Sequence, residues 1–63
     1  MTGPELKAAR RRLGLSQAAL AHALRLGGDG GRTVRRWERG ERSIPGPVEV
    51  AVEFMLAQAD GRE

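Results

Sequence analysis

The chain has 63 residues, no Cys, one His and two aromatic side chains, Trp37 and Phe54. So short a chain forms at most one small domain, with neither a disulfide framework nor a thiolate zinc site to stabilise it and too little body to enclose a large active site. Its formal net charge of +3 is unevenly placed: residues 1–42 carry ten Lys or Arg against four acids, residues 43–63 one Arg against four, which suits an anionic partner for the first part only.

Punctuation divides residues 1–63 into four helical stretches of a single domain. Thr2 and Glu5 have the spacing of a capping box, Pro4 is tolerated in a first turn whose backbone donors lack partners, and the helix they open ends at Gly14. Ser16 is a good N-cap for a second helix over about 16–26, whose Leu20 and Leu24 lie one turn apart on the buried side. The glycines of Gly27-Gly-Asp-Gly-Gly31 exclude helix interior, since each costs about 1 kcal/mol relative to Ala. Asp29 is placed to cap a third helix over about 30–39, closed by Gly40. Ser43-Ile-Pro-Gly-Pro47 is a rigid connection, and Pro47 at the first helical position with Glu49 at the third starts a fourth helix over about 47–59.

The third helix has the most informative pattern. On a wheel of about 100° per residue, Val34 and Trp37 define a buried face, while Arg32, Arg35, Arg36 and Arg39 all fall on the opposite side. Four like charges on one face repel one another, so the arrangement makes physical sense chiefly when an anion neutralises it. Arginine also has the planar fork that grips guanine O6 and N7, or a phosphate, through two hydrogen bonds.

Two blocks of this sequence, Arg12-Leu-Gly-Leu-Ser-Gln-Ala-Ala-Leu-Ala21 and Thr33-Val-Arg-Arg-Trp-Glu-Arg-Gly40, resemble the end of the first helix with the second helix, and the recognition helix, of phage-repressor and Cro-like (XRE-type) helix-turn-helix DNA-binding domains. The resemblance extends from Glu5 to about Leu56. It implies an all-α, lambda-repressor-like domain of four compact helices, or five. It further implies phosphate contacts at Ser16 and Gln17, with Gly31 and Arg39 as further candidates, and base contacts from Arg32 and Arg36 with Thr33 and Arg35 nearby. Arg10 and Glu38 occupy the positions of the family's partly buried structural ion pair. One departure is visible: the glycine-rich turn is about three residues longer than the family's tight turn, so Gly31 stands where relatives carry a base-touching side chain and reading shifts onto the arginines, or the glycines bring backbone N–H groups to a phosphate.

Other residues have plainer roles. Trp37 belongs to the core, His22 projects opposite Leu20 and Leu24 into solvent, and Lys7, Arg11 and Arg12 are equally suited to phosphate contact or to solvation. On the fourth helix Val48, Ala51, Val52, Met55, Leu56 and Ala59 form a complete core stripe, which leaves Val50, Phe54 and Ala57 as a second apolar row with nothing to cover it. That row suits a two-fold interface with a second copy.

An enzyme is not expected from one His, no Cys, no Tyr and no phosphate-binding loop, nor is a metal or other cofactor. No apolar run approaches the roughly 20 residues of a membrane span, and the first residues lack the layout of a secretory signal, so a cytoplasmic protein located at the nucleoid through DNA is expected. The reading that unites these features is a homodimeric transcriptional regulator, a repressor by preference, of a palindromic operator. By analogy of fold, phage or mobile-element operons and antitoxin-like or anti-CRISPR-associated autoregulators are its context. The alternative is a protein-interaction adaptor using the same helical fold without specific DNA binding.

Overall fold

The computed structural model describes residues 1–61. Among them are four helices and no strand: α1 Gly3–Arg12, α2 Gln17–Ala23, α3 Gly30–Glu38 and α4 Gly46–Asp60. No fifth helix forms among the described residues, and none of the four is long and apolar enough to cross a membrane. α2 and α3 pack most extensively on each other, α1 rests on α3, and α4 rests on α1. Each helix contributes one fully buried side chain to the centre, namely Leu6, Leu20, Val34 and Val52. Ala9, Ala21 and Trp37 complete the buried core, with Leu15, Leu24, Leu26, Ile44, Val48, Met55 and Leu56 among the half-buried residues around it.

Local chemistry accounts for where the helices start and stop. The capping box of α1 is complete: the Glu5 backbone N–H donates to Thr2 Oγ1 at 3.2 Å, and the Thr2 N–H donates to Glu5 Oε1 at 2.7 Å. Gly3, the first helical residue, lies buried where a Cβ would run into the carbonyl oxygens of Trp37 and Glu38. Thus the positive end of α1 meets the negative end of α3, an arrangement favourable to both helix dipoles. Ser16 caps α2 as expected, its Oγ accepting from the Ala19 N–H at 3.0 Å.

Helices α1, α2 and α3 all end in the same way. The residue after each C-cap is left-handed: Gly14 at φ 73°, Arg25 at φ 60° and Gly40 at φ 77°. The N–H of the next residue then turns back to the helix, from Leu15 to the Arg10 carbonyl, from Leu26 to Ala21 and from Glu41 to Arg36, so each end is a Schellman motif. α2 consequently stops at Ala23 and not near Leu26. No glycine marks that stop, which is why periodicity overran it.

Smaller departures follow from first-turn chemistry. Asp29 is the N-cap of α3 by position, but its side chain makes no capping hydrogen bond; its carbonyl instead accepts from the Thr33 N–H and Thr33 Oγ1. Gly30 and Gly31 form the first turn of α3, where their cost as helix formers is offset by packing. α3 ends at Glu38 with Arg39 as C-cap. α4 starts at Gly46 with Pro45 as N-cap, so Pro47 is the second helical residue, still within the turn that needs no proline N–H. Its core stripe is as expected except for Ala59, which is exposed. α4 has 15 residues against 10 in α1, and the last residues of the two helices meet through Arg12 and Asp60 at 2.7 Å.

Candidate nucleic-acid interface

The outer face of α3 is built by the burial of its inner one. Val34 is completely buried and Trp37 nearly so, and Gly30, one turn before Val34, joins them at the crossing with α2. A Cβ on Gly30 would come within 2.7 Å of the Cβ atoms of both Ala21 and Leu26, so only glycine lets the two helices approach this closely. With that face fixed, Arg32, Arg35 and Arg39 are exposed and Arg36 is half-buried. Arg39 meets Glu41 at 3.6 Å in an exposed pair, of a kind that contributes about 0 to 1 kcal/mol. No acidic side chain of α3 shares the arginine face.

The acid of α3 is turned inward. Arg10 Nε donates to Glu38 Oε2 at 2.7 Å and its Nη2 to Oε1 at 3.2 Å, while Nη1 donates to the Leu15 carbonyl at 3.0 Å. The side chains are 13% and 4% exposed, so the ion pair inferred from the resemblance is present and partly buried. Gln17 Nε2 also donates to Glu38 Oε1, at 3.1 Å. One carboxylate therefore ties α1, the start of α2 and α3 together. Burial opposes the charge on Glu38, but hydrogen bonds from Arg10 and Gln17 and the charges of Arg10 and Lys7 outweigh it and hold the carboxyl below its usual value. The same hydrogen bond raises the Arg10 guanidinium.

The remaining candidates are distributed as follows. Ser16 is exposed, and with its oxygen accepting from Ala19 its hydroxyl hydrogen is left to donate outward. Gln17 is half-buried, and one of its amide hydrogens is engaged by Glu38. Thr33 is half-buried, with its hydroxyl hydrogen given to the Asp29 carbonyl at 3.2 Å, so only its oxygen can accept from a base. Gly31 lies against Ala18 at ordinary contact distance. His22, Lys7 and Arg11 are exposed; Arg12 pairs with Asp60 at 2.7 Å on the surface. Pattern reading missed Gly30, although it lies four and seven residues before Val34 and Trp37 and so falls on their face. It also missed the Gln17 bond to Glu38, for which the sequence holds no signal.

Acidic side chains gather on another surface, around a groove between α1 and α4. That groove, of about 430 Å³, is lined by Glu5, Glu49 and Glu53 together with Arg12, Met1, Ala8, Ala9 and Leu56, and the Met1 ammonium pairs with Glu49 at 2.9 Å. On α4, Val50 and Phe54 are 65% and 61% exposed, and Ala57 is exposed with them. Among the described residues no group of three or more His, Cys, Asp or Glu side chains could hold a metal ion. No protein-family model, curated protein or solved structure matches the chain.

Proposed function

We propose that the protein is a sequence-specific double-stranded DNA-binding regulator that presents α3 to the major groove as a recognition helix. The observation that carries this reading is the separation of charge on α3: its arginines face outward while its one carboxylate is held inside by Arg10 and Gln17. A helix so prepared offers a continuous cationic face at the width of a B-form major groove. Arg32 and Arg36 read bases, with Arg35 and Thr33 beside them; Ser16, Gln17, Arg39 and Gly31 position the backbone.

The resemblance to phage-repressor and Cro-like domains supports the same assignment. In it the protein acts as a homodimer joined through Val50, Phe54 and Ala57, binds a palindromic operator and represses by occupying it. Its setting is the cytoplasm, on the nucleoid, in a phage or mobile-element operon. Selection of bound sequences from a random duplex library tests the reading directly. A palindromic consensus is the expected result. Recovery of no enriched sequence, with no duplex retained in a gel shift, would instead favour the protein-interaction adaptor.

A further inference from the structure

Three helix ends in this chain require a left-handed residue, and two of them use glycine. The third uses Arg25, the one non-glycine residue with positive φ among those described. Backbone geometry explains Gly14 and Gly40 but not an arginine, because an L side chain in this conformation is strained against its own carbonyl. The turn itself is held by the Leu26 N–H on the Ala21 carbonyl; left-handed side chains of this kind cluster at ligand-binding positions, and the surroundings of Arg25 fit one.

Arg25 lines a concave surface of about 380 Å³ formed by the outer side of α2 and the glycine-rich connection. His22 is the other large side chain there; Ala18, Ala21, Gly27, Gly28 and Gly31 supply the rest, with nothing larger than a methyl group. Backbone is therefore accessible to whatever enters, and no carboxylate lines the surface. Arg25 is exposed and in no ion pair among the described residues, unlike Arg10, Arg12 and Arg39. A cation and a ring N–H donor over bare backbone match the chemistry of a phosphate group.

We propose that His22, Arg25 and the bare backbone of Gly27 and Gly28 form a seat for one DNA-backbone phosphate, added by the lengthened connection between α2 and α3. The proposal rests on the DNA-binding reading and extends it to residues that neither the arginine face nor the start of α2 includes. The seat reads no sequence. It fixes how α3 lies in the groove, and its contribution is electrostatic.

The substitution that tests it is Arg25→Gly, which relieves the backbone while removing the cation. Binding to the best selected duplex and to a random duplex is measured across salt concentration, alongside thermal melting, with Arg25→Lys as the charge-retaining control. The glycine variant is expected to melt at an unchanged or higher temperature. It should bind both duplexes roughly tenfold more weakly and show a salt slope smaller by about 0.9 per protomer; the lysine variant should keep the slope of the unaltered protein. Unchanged affinity and slope in Arg25→Gly would overturn the seat while leaving DNA binding by α3 intact, and so would a loss confined to the selected sequence. Failure of the unaltered protein to bind any duplex would remove the DNA reading and the seat with it. Inorganic phosphate distinguishes the remaining source: if it shifts the Gly28 amide resonance of the unaltered protein but not of Arg25→Gly, while duplex affinity is the same in both, the seat belongs to a free anion and its assignment to DNA is overturned, with binding by α3 untouched.

Discussion

At the scale of single residues, adjacent glycines have opposite consequences. An added methyl at Gly30 meets Ala21 and Leu26, whereas at Gly31 its nearest neighbour, the Ala18 Cα, is 3.6 Å away. Gly30→Ala should therefore force α2 and α3 apart at a cost of about 1 to 3 kcal/mol, while Gly31→Ala should stabilise by about 0.4 to 1 kcal/mol through lower chain entropy in the unfolded state. Melting temperatures that move in the same direction would contradict the packing at this crossing. Hydrophobic periodicity revealed Val34 and Trp37 but not Gly30, because a residue chosen for having no side chain gives no apolar signal and reads as a helix breaker. Glu38 makes a second prediction. Its carboxyl is held below the usual value of 4.5 in the folded chain, so the unfolded chain binds the proton first. The resulting stability is present above about pH 4.5 and is lost as pH falls through the lower folded value. Glu38→Gln should flatten the fall of melting temperature below pH 4.5, leaving a residual slope from Glu5, whose carboxyl is also lowered by its bonds to the Thr2 backbone and hydroxyl.

Helices as units carry the interaction chemistry. The arginine face of α3 was legible because period and charge coincide, and the pairing of Arg10 with Glu38 was legible only through resemblance, since the two are 28 residues apart. The stop of α2 at Ala23, two residues before the left-handed Arg25, was not legible, because arginine is a good helix former and its type does not signal a left-handed turn. Within α3, Arg36→Ala should weaken binding to the best duplex by about 1 to 3 kcal/mol and relax base preference at one position. Ser16→Ala should weaken selected and random duplexes alike. Titrations on both DNAs check the contrast, and equal losses for the two variants would refute the division between base reading and backbone positioning. Ser16 and Gln17 also serve the fold, the first as the N-cap of α2 and the second through its bond to Glu38, so melting temperatures measured beside the titrations separate a folding loss from a binding one. Removing Arg10 strands a carboxylate that is 4% exposed, so Arg10→Ala should cost about 3 kcal/mol in chemical denaturation. A joint Arg10→Met and Glu38→Leu replacement should recover most of it, since two apolar side chains leave no charge unpaired.

For the whole molecule, the distribution of charge and apolar surface sets an orientation. The arginine face of α3 and the groove between α1 and α4, where three carboxylates stand with Arg12 and the Met1 ammonium, are different surfaces, so a polyanion is drawn to the first. The second apolar row of α4 was readable from the sequence because the core stripe was already complete without it, and the exposure of Val50 and Phe54 agrees with that reading. The extent of the stripe was less legible, as exposed Ala59 shows, because periodicity marks a face and not how far along it the packing reaches. Two copies related by a two-fold axis through the row would bury apolar area that so small a domain lacks, and would set two recognition helices on successive major-groove faces about 34 Å apart. Phe54→Glu places a charge at the centre of that interface without touching the core, for Phe54 is 61% exposed in the single chain. Helical content by circular dichroism should therefore persist while sedimentation shifts from dimer to monomer. Binding to a palindrome should fall to the level of a half-site, and the affinity loss of about 10³ to 10⁵ expected of a dimer neutralising roughly 6 to 10 phosphates between 50 and 200 mM salt should shrink with the number of phosphates engaged. A wild-type protein already monomeric at micromolar concentration, or a Phe54→Glu protein still dimeric, would place the two-fold contact elsewhere on the surface or remove it.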